Sequence, residues 1–250
     1  MIILVSLAAL GAAVPVTDTA PRWIAGASFG VESFTRDRAA WRQYQATLGY
    51  RHRGVTVIGE LIRTDRFARA DEALAATTYL RVDRRTSGWA RLQVAPRADV
   101  IARLDASAEL ERALGGGWTV AGGYRRMSFA ESGVDLLGAS VNRYLGPWLL
   151  QARGQAVMSG GRTGAGGRLM ARRSFEDDPD RLLELAAGVG QEVVLLGAGL
   201  PAEVRGTGSL VARGRWRFGD RWGAEGLVTW SQERAVPDRT GFNAGIFARW

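Results

Sequence analysis

The chain is 250 residues long, with 33 glycines, 7 prolines, no cysteine and a formal net charge of +8. The missing cysteine excludes disulfide scaffolds, thiolate metal sites and cysteine nucleophiles, and the length fits one domain. Lysine is absent, so the cationic side chains are arginines; they are spread along the chain at alternating positions rather than gathered into one stripe, which argues against nucleic acid as a partner.

Residues 1–13, Met1 to Ala13, form an apolar run that ends in small residues. The run is too short to span a bilayer as a helix and reads as a signal peptide cleaved after Gly11-Ala12-Ala13. It lacks the usual basic leader, so only the amino terminus supplies positive charge. Residues 14–22 are then an N-terminal periplasmic segment, and 23–250 form the folded domain. No later stretch is apolar enough for a transmembrane helix.

From Trp23 onward, stretches of about ten residues alternate apolar and polar between turn residues, the pattern of membrane-spanning β-strands. Segments begin near Trp23, Trp41, Val55, Asp71, Gly88, Val100, Trp118, Val134, Trp148, Gly164, Leu182, Gly206, Trp222 and Gly241. The expected fold is all-β, a single antiparallel up-and-down transmembrane β-barrel of about 14 strands. Twelve is the alternative, because the first four segments alternate poorly.

The cleanest segments assign faces. Val100, Ala102, Leu104, Ala106, Ala108 and Leu110 oppose Arg103, Asp105, Ser107 and Glu109. Leu150, Ala152, Gly154 and Ala156 oppose Gln151, Arg153 and Gln155. Leu210, Ala212, Gly214, Trp216 and Phe218 oppose Arg213, Arg215 and Arg217, and the last segment sets Phe242, Ala244, Ile246, Ala248 and Trp250 on one face. Alternation alone also suits a soluble sandwich. Arginine density on one face and tryptophans at segment starts favour a membrane barrel with a wet lumen and an aromatic girdle. With a periplasmic N-terminus, Trp23, Trp89, Trp118, Trp148 and Trp222 fall on outward-running strands at the periplasmic interface. Leu145-Gly146-Pro147 and Gly219-Asp220-Arg221 become periplasmic turns, and Val194–Glu203 and Glu233–Arg239 become extracellular loops. No segment is long enough for an internal plug domain.

The lumen-lining candidates are Arg103, Asp105, Glu109, Arg153, Arg168, Arg172, Glu184, Arg213, Arg215, Arg217 and Glu225. Closing the hairpin at Gly219–Arg221 pairs Phe218 with Trp222 and sets Arg215 opposite Glu225. The turn at Glu176–Asp180 sets Arg172 opposite Glu184. Arg153, Arg168, Arg213 and Arg217 are expected to lack partners and to leave the wall positive. Trp250, a terminal aromatic on an alternating strand, is a candidate signal for the barrel assembly machinery, read by strand addition.

Val94-Ala95-Pro96, Gly122–Phe129, Asn142–Trp148 and the closing Arg239–Trp250 together resemble the YaiO-type outer-membrane β-barrel family, along Trp23 to Trp250 and most strongly in the second half. The resemblance implies the outer membrane of a Gram-negative bacterium and surrounding outer-membrane lipid. Related barrels are linked with surface polysaccharide systems, which makes glycan export or secretion the implied role; the positive wall makes an anionic glycan the suitable cargo. It carries over no catalytic motif.

Other chemistry is weaker. His52, the lone histidine, lies in a turn beside no evident nucleophile. Glu176–Asp180 reads as a solvated turn rather than a calcium loop, and the Gly160–Gly167 cluster precedes no helix and is no phosphate loop. Glu109 and Glu111 share a face as lumen charges rather than as a glycosidase pair. The expected function is a pore or export component with no cofactor, no metal site and no catalytic residue. An outer-leaflet enzyme and a non-conducting structural barrel are the rivals.

Overall fold

The computed structural model describes residues 23–35, 39–176, 178–195, 202–233 and 238–250. The expected signal peptide and periplasmic segment fall outside these residues, as does most of the expected loop at Glu233–Arg239 and the centre of that at Val194–Glu203.

Fourteen strands follow in order: β1 (Trp23–Phe34), β2 (Trp41–His52), β3 (Val55–Arg66), β4 (Arg69–Arg81), β5 (Thr86–Val94), β6 (Leu104–Gly115) and β7 (Trp118–Ser128). Then come β8 (Gly133–Leu145), β9 (Trp148–Ser159), β10 (Arg162–Phe175), β11 (Asp178–Leu195), β12 (Ala202–Phe218), β13 (Trp222–Glu233) and β14 (Arg239–Arg249). Each pairs antiparallel with its chain neighbours, and β1 pairs with β14 to close the barrel. Closure gives each described strand a partner on both sides, the condition a sheet must meet in lipid.

Tight turns fix the register. The β2–β3 connection passes through Arg53 and Gly54, both left-handed (φ 47° and 82°), the geometry of a primed two-residue hairpin turn. Asp83 holds the β4–β5 turn: its carboxylate accepts the N–H groups of Arg85 at 2.6 Å and Thr86 at 2.8 Å, which keeps its pKa below the usual carboxylate range. These short connections lie at the end that carries Trp23 and Trp250, as periplasmic turns do.

The alternation is that of a barrel in lipid. Leu110, Leu169, Leu210 and Ile246 point outward and are exposed, whereas Arg91, Asp105, Arg172 and Glu184 point inward and are buried. A soluble sandwich would bury the first set, not the second.

One segment departs from the expected pattern. β6 begins at Leu104, not Val100. Residues 95–103 instead fold into the extracellular end of the lumen, burying Ala95, Ala98, Val100 and Ala102. Ala95 and Ala98 pack with Ile62, Ala73 and Ala75, while Ala102 packs with Met127, Val134, Leu136 and Val157. The Asp71 carboxylate, on β4, anchors this loop by accepting the N–H groups of Asp99 (3.1 Å), Val100 (2.6 Å) and Ile101 (2.9 Å). The lumen thus carries a small inward-folded loop.

Candidate functional site: the charged lumen

Inward side chains follow directly from strand parity. Arg213, Arg215 and Arg217 share the inner face of β12, and Glu225 that of β13. The turn at Gly219–Arg221 sets Arg215 opposite Glu225, with Phe218 opposite Trp222, and the Arg215 Nη1–Glu225 Oε2 distance is 3.4 Å. Arg172 stands opposite Glu184 across β10 and β11, with Nη2 at 2.7 Å and Nε at 2.9 Å from Oε2.

The arginines expected to lack partners have carboxylates within ion-pair distance. Arg168 reaches Glu184 at 3.4 Å, Arg217 reaches Asp178 at 2.8 Å, and Arg213 lies 3.8 Å from Glu225. Arg153, on β9, meets Glu109, on β6, at 2.5 Å. That pair spans two strands, and glycines make room for it: Gly123 and Gly138 are register partners on the intervening β7 and β8. A Cβ at Gly138 would lie 2.7 Å from the Arg153 guanidinium, and one at Gly123 would lie 3.2 Å from the Glu109 carboxylate. Glu109 sits three strands from Arg153, and the other partners stand off register on the adjacent strand, so pairing only directly opposite residues misses them.

Two chambers occupy the lumen. The smaller, about 190 Å³, is lined by Gln43, Gln45, Glu60, Asp105, Arg215 and Glu225, among others. The larger, about 350 Å³, is lined by Glu109, Arg153, Arg168, Arg172, Glu184 and Arg213, among others. Arg91 and Arg125 line both. Their guanidinium groups stand between the chambers in a network in which Arg91 meets Glu60 at 2.8 Å and Asp105 at 3.9 Å, and Arg125 meets Asp105 at 2.5 Å.

A second network runs to the periplasmic mouth. Arg213 faces Glu225, Glu225 faces Arg215, Arg215 meets Asp180 at 3.0 Å, and Asp180 also pairs with Arg249. Among the described residues the acidic cluster is therefore solvated only at Glu176: Asp178 and Asp180, at the start of β11, are buried and engaged by arginines. At the other mouth, Glu32 lies between Arg66 (3.9 Å) and Arg239 (3.8 Å), and the Arg66 guanidinium sits 4.6 Å from the Trp41 ring centroid. This cluster is invisible to segment-by-segment reading because its members come from β1, β2, β3 and β14.

Two expected positions change. Arg103 lies in the inward-folded loop rather than on the β6 wall; its side chain is exposed and its Nε donates to the Ala98 carbonyl at 3.1 Å. Trp89 is not part of the girdle: it shares inward parity with Arg91 and Gln93 and lines the larger chamber. Leu92 and Val94, of the opposite parity, are exposed to lipid. Trp23, Trp118, Trp148 and Trp222 are exposed on the outer surface at the periplasmic end, joined there by Trp216 and Trp250. Arg143, Arg173 and Arg181 lie over the rings of Trp118, Trp148 and Trp216 at 4.9, 5.6 and 5.7 Å. His52 is exposed beside Tyr50, their rings stacked at 6.4 Å.

Among solved structures, the fold is similar to a CymD monoaromatic hydrocarbon channel at a TM-score of 0.65 and 8% identity, over 92% of this chain and 89% of that one. It is also similar to a bacterial polysaccharide outer membrane secretin at 0.53 and 8% identity, over 93% and 100%. No curated protein matches the sequence. The model of the YaiO membrane beta barrel domain matches residues 24–193, more than half of the chain. Val94–Pro96, Gly122–Phe129 and Asn142–Trp148 lie within that match, and the closing Arg239–Trp250 motif lies beyond it. With a closed fourteen-strand barrel and an inside-out distribution of polarity, this match establishes that the chain is an outer-membrane β-barrel of the YaiO family.

Proposed function

We propose that the barrel is a channel or export component for an anionic saccharide, acting without catalysis. The observation that carries this reading is the network Arg213–Glu225–Arg215–Asp180–Arg249, which runs from the larger chamber to the periplasmic mouth. It begins and ends on arginine, so its carboxylates do not neutralise it. Arginines lining a pore favour anions. Barrels of this fold include a hydrocarbon channel and a polysaccharide secretin. A lumen lined by guanidinium, carboxylate and amide groups suits the second chemistry, since an apolar solute gains nothing there to offset desolvating those groups.

Planar-bilayer recording of the refolded protein tests this proposal. The expected result is a conductance whose reversal potential across a salt gradient reports anion preference, and cation preference would overturn it. A second reading, a non-conducting structural barrel, is favoured by the Arg91–Asp105–Arg125 network between the chambers and by the inward-folded loop. A folded protein that never conducts would establish that reading instead.

A further inference from the structure

Arg213 stands apart from the other arginines of the larger chamber. Its side chain is only 9% exposed, and its nearest carboxylate oxygen, on Glu225, lies 3.8 Å away. Its Nε is buried without a hydrogen-bond partner among the described residues. By contrast, Arg153 and Arg172 meet their carboxylates at 2.5 and 2.7 Å. A buried guanidinium N–H left without a hydrogen bond is costly to maintain.

A second polar group nearby is in the same condition. Thr229, on β13, is 6% exposed, and its Oγ1 has no partner among the described residues. Arg213 stands opposite Leu227, so Thr229, two residues further along the same inward face, is its diagonal neighbour. Both line the larger chamber. An Arg213 Nε–H and a Thr229 hydroxyl, both without a hydrogen-bond partner among the described residues, are therefore presented side by side.

The chamber supplies the rest of a recognition site. Trp89 lines it from β5, seven strands from β12 in either direction around the barrel. Between them the wall is relieved by inward Gly123, Gly138, Gly166 and Gly190, which follow one another in register on β7, β8, β10 and β11, with Gln155 of β9 in the same row. A volume of about 350 Å³ falls within the ~300–1,000 Å³ of small-ligand pockets.

We propose that Arg213 and Thr229 bind the carboxylate of an acidic sugar ring whose apolar C–H face rests against Trp89. The guanidinium fork matches a planar carboxylate bidentately, and the aromatic face suits a ring with one apolar side. A single negative charge fits better than a dianion, because Glu225 and Glu184 stand close by. The site deepens the reading of the barrel as a channel for an acidic saccharide by naming the group that is recognised.

Saturation-transfer NMR on the full chain refolded in micelles tests the proposal, with D-glucuronate, D-glucose and inorganic phosphate as probes. Glucuronate should bind on the order of tenfold more tightly than glucose, the discrimination of one charge-assisted pair. Arg213→Gln should erase that difference, Arg213→Lys should restore it in part, and Trp89→Leu should weaken both sugars together. Arg63→Gln, on the outer face, should change nothing. Heat-modifiable mobility verifies folding of each variant; if Arg213→Gln does not fold, the wild-type ranking and Trp89→Leu decide. Glucuronate bound no better than glucose, or bound equally by Arg213→Gln, would overturn the assignment. Phosphate displacing glucuronate at equal concentration would overturn recognition of the ring. Bilayer conductance without glucuronate binding would discard the site and keep the channel; binding without conductance would discard the channel and keep the site.

Discussion

Trp23 and Trp250 exchange both backbone hydrogen bonds: the Trp23 N–H donates to the Trp250 carbonyl at 2.9 Å, and the Trp250 N–H donates to the Trp23 carbonyl at 3.2 Å. The final residue is thus the last rung of the β1–β14 seam as well as a member of the outer aromatic belt. Deleting Trp250 should lower the amount of heat-modifiable barrel recovered from the outer membrane, because it removes both hydrogen bonds of this rung of the β1–β14 seam. Unchanged recovery would show that the seam nucleates elsewhere.

Outer and inner faces should respond differently to the same charge. Arginine placed at Ala106 or Ala212, on the lipid face, should cost about 2–4 kcal/mol near the bilayer midplane. Arginine at Ser107, which lines the larger chamber, should cost less. Denaturant unfolding of the three variants in lipid vesicles measures this, and equal effects would contradict the parity.

Asp71 holds the inward-folded loop by accepting three of its N–H groups. Asp71→Ala leaves those donors unsatisfied, at about 1–3 kcal/mol for each that stays buried. The loop should swing outward and single-channel conductance should rise, with heat-modifiability retained. Unchanged conductance would mean that the apolar contacts of Ala95, Ala98 and Ile101 suffice to hold it.

Glu184 serves both Arg168 and Arg172, and the Arg172 pair is 8% exposed on each side. Glu184→Gln should destabilise the barrel by an amount between the ~0–1 kcal/mol of an exposed pair and the ~3–5 kcal/mol of breaking a buried one, nearer the upper figure. It should also shift the reversal potential toward stronger anion preference. A shift toward cations would contradict the charge balance of the wall.

Strand number and register were legible because they rest on local signals. Alternation has a period of two, and a turn such as Gly219–Arg221 leaves one way to zip the hairpin, so Arg215 opposite Glu225 could be read from the chain. The inward loop was not legible because Val100 and Ala102 continue the parity of Leu104 while their backbone leaves the wall. Trp89 misled because its place near a strand start says nothing about its face, which its neighbours Arg91 and Gln93 decide. Arg153 with Glu109 and Arg249 with Asp180 depend on how the wall curves, and no local pattern encodes curvature.

The bridge from Glu109 to Arg153 passes over Gly123 and Gly138, and this separates two properties that most pores vary together. A bulky side chain lying flat in a groove adds charge without narrowing the bore. Gly138→Val would lift the Arg153 guanidinium off the wall and tighten the passage while leaving the net charge untouched, whereas Glu109→Gln would alter the charge at nearly constant calibre. Under the proposed channel function, calibre and charge can therefore be varied independently in this barrel, one through its glycines and the other through its carboxylates.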